Sequence, residues 1–235
     1  MKKLLLLIVL FISVGNGIWA QFPKAIFPGD YPDPSILRDG KDYYMTHSPF
    51  CYAPGFLIWH STDLMHWEPV CRALPEYEAS IWAPDLLKYQ DRYYIYYPTS
   101  TGENYVIYAD DIRGPWSKPI KLEVKGIDPG HVVGEDGKRY LFTNNGWITP
   151  LSDDGLKVTG KSRKVYDGWE YPANWVTEGK DMYLESPKLL YKDGYYYMMS
   201  AEGGTAGPAT SHMCVVARSK SVFGPWENSP YNPIV

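Results

Sequence analysis

The 235-residue chain sets 23 Lys and Arg against 27 Asp and Glu, a formal charge of −4, with no basic run or stripe of the kind that binding to nucleic acid requires. Its histidines (His47, His60, His66, His131 and His212) and its three cysteines are scattered, with no His-Glu-x-x-His and no Cys/His cluster, so no metal site is read and a disulfide scaffold is excluded. Aromatic residues reach 16%, including 21 Tyr and 9 Trp, and their flat apolar faces suit a sugar, although most, as in "DYYM" and "GYYYMM", are expected to fill strands.

Taken in chain order, Met1, Lys2 and Lys3 precede an apolar run over residues 4–14, and Ala20 sits before Gln21. This predicts a signal peptide over residues 1–20, because the run is shorter than the roughly 20 residues a bilayer needs and its start is positive. No later segment is apolar enough to span a membrane, and the protein is expected to be exported. The remaining residues 21–235 suffice for one substantial core. Cys51 and Cys71 allow one bridge, but buried free thiols are the preferred reading for these two and Cys214.

From there, strand signals dominate, and no stretch keeps a helical apolar period for three turns, which predicts an all-β chain. The same pattern recurs in "DPSILRDGKDYYM" from Asp33, "APDLLKYQDRYYI" from Ala83, "DPGHVVGEDGKRYLF" from Asp128 and "ESPKLLYKDGYYYMM" from Glu185. Each reads as a strand, a polar turn and an aromatic strand, and three repeats then close on a turn marked by Trp67, Trp116 or Trp226. The third has "PLSDDGLKV" instead. Starts spaced 50, 45 and 57 residues apart are the period of a β-propeller, a better account of the repetition than a sandwich. The closing "NSPYNPIV" reads as a linker into another strand, so the expected fold is a five-bladed β-propeller truncated in this chain after about four blades.

Aligned on their first aromatic strand, the repeats place Tyr43 ten residues after Asp33, Tyr93 ten after Ala83, Tyr195 ten after Glu185, and Tyr140 twelve after Asp128. One slot thus holds Asp33, Ala83, Asp128 and Glu185. Alone, the "GDYPDPS" around Asp33 is a turn. If the slot begins the innermost strand of each blade, three carboxylates meet at one end of the channel, where their repulsion must push at least one pKa upward. Pro34, Pro84, Pro129 and Pro187 follow the slot and stiffen each entry. Asp30, Asp39, Asp42, Asp63, Asp85, Asp110, Asp111, Asp153 and Asp154 are read as structural.

Two carboxyls across a sugar pocket can cut a glycosidic bond, one protonating the leaving oxygen and the other activating water or attacking directly. A third fixed charge raises the donor's pKa. At these residues the chain resembles the family 43 glycoside hydrolases, five-bladed propellers that invert the anomeric centre, and the resemblance covers residues 21–235 as an incomplete catalytic propeller domain. It implies Asp33 in "YPDPS" as general base, Asp128 in "GIDPG" as pKa modulator and Glu185 in "LESPKL" as general acid. "SPFCYAPGFLIWHSTDL" and "SIWAPDL" are similar to the β-xylosidase branch, which implies Phe50 and Trp82 as walls of the sugar pocket. Without that motif, buried aromatics of a β-protein are more often core than platform.

Ser186 and Lys188 depart from the Gly and His that xylosidase-type members often carry after the acid. The family's fifth blade, with a substrate-contacting Arg and a channel His often associated with a calcium ion, would lie beyond Val235. No cofactor is read from the chain itself. The resemblance implies an exo-acting β-xylosidase-like enzyme on xylose- or arabinose-containing plant oligosaccharides or polysaccharides. The alternatives are an α-L-arabinofuranosidase or arabinanase, and an inactive or carbohydrate-binding propeller fragment.

Overall fold

A computed structural model describes residues 25–76, 79–172, 183–204 and 212–234; the expected signal peptide lies outside them. The first repeat forms β1 (Ser35–Asp39), β2 (Asp42–Thr46), β3 (Gly55–Ser61) and β4 (Glu68–Leu74). The second forms β5 (Asp85–Tyr89), β6 (Arg92–Pro98), β7 (Asn104–Ala109) and β8 (Ile120–Leu122). The third forms β9 (Gly130–Val133), β10 (Arg139–Thr143), β11 (Trp147–Pro150) and β12 (Arg163–Lys164), and the fourth β13 (Tyr183–Lys192), β14 (Tyr195–Gly203), β15 (His212–Ser219) and β16 (Glu227–Asn228).

Each repeat is one four-stranded antiparallel sheet with its strands in sequence order, which is a propeller blade. Tight turns make this order the cheapest pairing; Asp193 and Gly194, both at positive φ, join β13 to β14 with the twist a two-residue hairpin favours. No helix of the described residues is long and apolar enough to cross a membrane.

The blades pack face to face, and the core is divided among their interfaces. Phe56, Ile58, Ile81, Ile95 and Ile107 fill the space between the first and second blades. Tyr94, Tyr96, Val106, Leu141 and Leu151 fill the next, and Tyr140, Phe142, Ile148, Tyr196 and Met198 the third. Burial follows from this arrangement. In β6 every residue after Arg92 is buried, because a blade covers each face, and the period-2 signal disappears. In β14 the alternation survives: Tyr196, Met198, Ser200 and Glu202 are buried while Met199 between them is 48% exposed.

One buried cation belongs to the second interface. The Arg139 guanidinium, 1% exposed, lies 4.4 Å from the ring centroids of both Tyr89 and Tyr94. It donates to Tyr96 Oη at 3.0 Å and to His131 Nε2 at 2.9 Å. His131 therefore accepts and is neutral; burial first, and then the guanidinium, drive its pKa down to about 3.

All three thiols are free. Cys71 and Cys214 are half-buried, whereas Cys51 is exposed, so the expectation of buried thiols fails for Cys51 because it lies in the loop between β2 and β3.

Truncating Phe142, fully buried between the third and fourth blades, is expected to cost about 3–5 kcal/mol through lost transfer energy and the cavity left behind. Chemical denaturation of Phe142→Ala checks this as a lower midpoint; a change below about 1 kcal/mol would mean that this interface is not packed as described.

Candidate active site

The innermost strands β1, β5, β9 and β13 lie side by side around the channel in sequence order. Their starts share one mouth. Leu86 N donates to Ser35 Oγ at 2.9 Å, joining the starts of β1 and β5, and His131 N donates to Asp85 Oδ2 at 2.7 Å, joining those of β5 and β9. Ser186 N and Oγ donate to Asp128 Oδ2 at 3.2 and 3.1 Å, joining the approach to β9 with β13. Asp33 and Pro34 directly precede β1, and Asp128 and Pro129 directly precede β9. Three sequence-predicted acids are thereby gathered from three blades to one mouth.

The register corrects the repeat alignment in one place. Ser35 pairs with Thr46, Asp85 with Tyr96 and Lys188 with Met199, each eleven residues on. The residues before the prolines are thus Asp33, Ala83, Asp128 and Ser186. Glu185 lies one residue upstream of the slot, and the structural counterpart of Tyr43 and Tyr93 is Tyr196, not Tyr195. A register shift between Glu185 and Lys188 accounts for this: β13 is already paired at Glu185, opposite Ala201, and bulges before Lys188. Such a bulge can re-aim a side chain as it bends the strand locally. Ser186 takes φ 51°, beside 53° at Asp33 and 56° at Asp128, so the backbone repeats even where the acid has moved.

Phe50 shares this conformation at φ 46°, and four of the nine non-glycine residues described at positive φ therefore sit at one mouth. Each such backbone costs on the order of 1–3 kcal/mol, and strain of this kind gathers where geometry matters more than stability.

The acids differ in their surroundings. Asp33 Oδ2 accepts from Ser48 Oγ at 2.5 Å, and Ser48 N donates to Pro32 O at 3.0 Å, which fixes the loop around that carboxylate. Asp128 and Glu185 are each 8% exposed. Burial, above all, pushes the Asp128 carboxyl above the ordinary aspartate range; the Ser186 hydroxyl opposes this, the charge of Asp33 adds to it, and the Lys188 ammonium opposes it again. Among the described residues, no three His, Cys, Asp or Glu side chains are placed to hold a metal ion.

Phe50 and Trp82 reach the same end of the sheets. Phe50 N donates to Ile81 O at 3.0 Å and Ile81 N to Phe50 O at 3.1 Å, so a single bridge binds the loop after β2 to the approach to β5 and puts Trp82 next to it. Both rings are half-buried. Phe50 lines a cavity of about 260 Å³ with Tyr31, His47, Ser48, Trp59 and Arg72, and Ser48 connects that cavity to Asp33. Trp82 is not among its lining residues. A larger cavity of about 770 Å³, lined by Asn145, Trp169, Tyr171, Leu184, Glu202 and Asn228, opens between the third and fourth blades and holds none of the five predicted residues. Converging carboxylates, not cavity size, mark the candidate site.

Four participants were not assigned a role from the sequence. Ser48 carries no signal in "THSPF". Ser186 could have been found by aligning on proline instead of tyrosine. Asp85, read as structural, is a further buried carboxylate at the mouth and is bound by Lys188 Nζ at 2.9 Å. Lys188 stood out only as a departure from the resembled pattern.

The model of the glycosyl hydrolases family 43 matches residues 22–235. A xylosidase/arabinosidase of Butyrivibrio fibrisolvens is 36% identical over 235 residues, covering 89% of this chain and 43% of its own. Xylosidase/arabinosidase 43B of Humicola insolens is 35% identical, with 92% and 43% covered. Among solved structures, the BlXynB protein of Bacillus licheniformis superposes with a TM-score of 0.78 at 34% identity, over 90% of this chain and 44% of that one. The chain spans less than half the length of these relatives. With four propeller blades in place and the family model matched along nearly all of it, the chain belongs to glycosyl hydrolase family 43.

Proposed function

We propose that the protein carrying this chain hydrolyses terminal glycosidic bonds in xylose- or arabinose-containing plant polysaccharide fragments, by a single displacement with water and inversion. The observation that supports this most is the gathering of Asp33, Asp128 and Glu185 from three blades, with Ser186 bonding Asp128 to the strand of Glu185. Glu185 serves as general acid and protonates the leaving oxygen. Asp33, oriented by Ser48, takes a proton from the attacking water. Asp128 keeps Glu185 protonated by its charge, and Phe50 and Trp82 wall the sugar. The reaction needs no cofactor, and residues 1–20 direct export.

Asp128 must be ionised to act on Glu185, yet its burial disfavours charge. The two Ser186 donors answer this, because hydrogen bonds to a carboxylate favour its charged form. A second substrate is favoured by the relatives named for both xylosidase and arabinosidase activity, so an α-L-arabinofuranoside belongs in the same assay.

Release of nitrophenol from β-xylopyranoside and α-arabinofuranoside is the direct test; failure to cleave either would defeat the hydrolase reading. Asp33→Asn should lower kcat/KM by about 10²–10⁴ irrespective of leaving group. Glu185→Gln should lose as much on xylobiose but far less on aryl xylosides with good leaving groups, which need no proton. Equal losses across a leaving-group series would remove Glu185 from the role of acid.

Asp128→Asn should move the alkaline limb of the pH profile downward, because Glu185 loses the neighbouring anion. Stability gives an independent readout. A folded-state pKa above the unfolded value means that the native state holds the proton longer, so stability falls as pH rises from about 3.8 through the folded pKa. Asp128→Asn should therefore be more stable than the parent at neutral pH and lose that advantage below pH 3.8. A neutral-pH stability at or below the parent's would refute the raised pKa.

A further inference from the structure

Lys188 makes three contacts that no single blade can supply. Its Nζ donates to Asp85 Oδ1 at 2.9 Å, to Pro129 O at 3.0 Å and to Pro84 O at 3.2 Å. An ammonium has three N–H donors, so each finds an acceptor. Pro84 and Asp85 belong to the second blade, Pro129 to the third and Lys188 to the fourth. The two carbonyls belong to the residues that end the approaches to β5 and β9. Pro129 directly follows Asp128, and Lys188 is the first paired residue beyond the bulge that follows Glu185.

We propose that Lys188 is a positioning residue: clamped on Asp85, Pro84 O and Pro129 O, its ammonium holds the Asp128 turn and the Glu185 bulge in register and supplies the cation that balances the acids at the mouth.

Two features separate this from an ordinary ion pair. First, the side chains are 38% and 12% exposed, and Asp85 also accepts from His131 N, so Asp85 cannot swing out to follow a solvated partner. Second, the charged groups gathered at the mouth are mostly of one sign. The first blade brings Asp33, the second Asp85, the third Asp128 and the fourth Glu185. His131, from β9, is neutral and contributes no charge, its Nε2 accepting from Arg139. Lys188 acts on Asp128 in the direction that favours the carboxylate, as the modulator's role requires. Asp85 acts in the opposite sense and offsets part of the cation's effect, so losing either member tips the balance.

This inference deepens the proposed hydrolase reading for its kinetic arm only; carboxyl titration tests it independently. The protein carrying this chain would be prepared as parent, Lys188→Gln, Asp85→Asn and the double variant, with ¹³C-labelled aspartate, and the Asp128 resonance followed against pH. Lys188→Gln should titrate Asp128 at higher pH than the parent, Asp85→Asn at lower pH, and the double variant close to the parent. In the kinetic arm, Lys188→Gln should lower kcat roughly 10- to 100-fold with a smaller change in KM. The pH profile should shift along with the Asp128 titration.

Lys188→Arg keeps the charge but not the three-point geometry. It should leave the pH limbs in place while kcat falls, and together with the double variant it decides the matter if Lys188→Gln does not fold. An Asp128 titration indifferent to Lys188, or a fall in melting temperature with kcat and both limbs unchanged, would overturn the proposal. A parent active on neither glycoside would defeat the hydrolase reading instead, leaving the titration to judge the clamp.

Discussion

The site depends on a girdle of hydrogen bonds that runs from blade to blade at one end of the channel. At each joint, a backbone N–H on one innermost strand donates to a side chain near the start of the preceding one: Leu86 to Ser35, His131 to Asp85, Ser186 to Asp128. The apolar interfaces hold the blades together, but packing alone is non-directional and tolerates small slides. The girdle is directional. It sets how far each strand projects into the mouth, and with it where the acids stand. Asp85 and Asp128 serve the girdle and the charge balance at once, so the site and the scaffold cannot be separated residue by residue.

That double duty explains the local costs. Positive φ at Asp33, Phe50, Asp128 and Ser186 is strain. Burial of Asp85, Asp128 and Glu185 opposes charge. The mouth tolerates both because the packing that overdetermines it lies elsewhere, in three inter-blade cores rich in large side chains such as Phe56, Tyr96 and Phe142. Tyrosine suits those cores because its hydroxyl reaches a polar neighbour while its ring stays dry: Tyr93 bonds Asp39 at 2.6 Å and Tyr96 bonds Gly155 O at 2.9 Å. The high aromatic content is thus explained mainly by packing between blades, and only Phe50 and Trp82 are assigned to the sugar.

The repeat was legible in the sequence because each blade obeys the same local rules. A proline ends the approach, a short strand follows, a polar turn reverses the chain and an aromatic strand returns. These are short-range constraints, and all four sheets form where the repeats are written. The acids were legible for the same reason, since Asp33 and Asp128 precede a proline in the same backbone conformation. Glu185 was found by resemblance and by a spacing that proves to be one residue out. No spacing rule anticipates a bulge, because whether a strand pairs before or after its extra residue depends on the partner strand.

Local sequence therefore determined the all-β class, the repeats and where their sheets form, because strand, turn and pre-proline preferences act within a few residues. Tertiary structure alone decided which side chains meet. Lys188 and Asp85 are 103 residues apart, and Asp128 and Ser186 are 58 apart, so only the packing of whole blades around the channel brings either pair within hydrogen-bond distance.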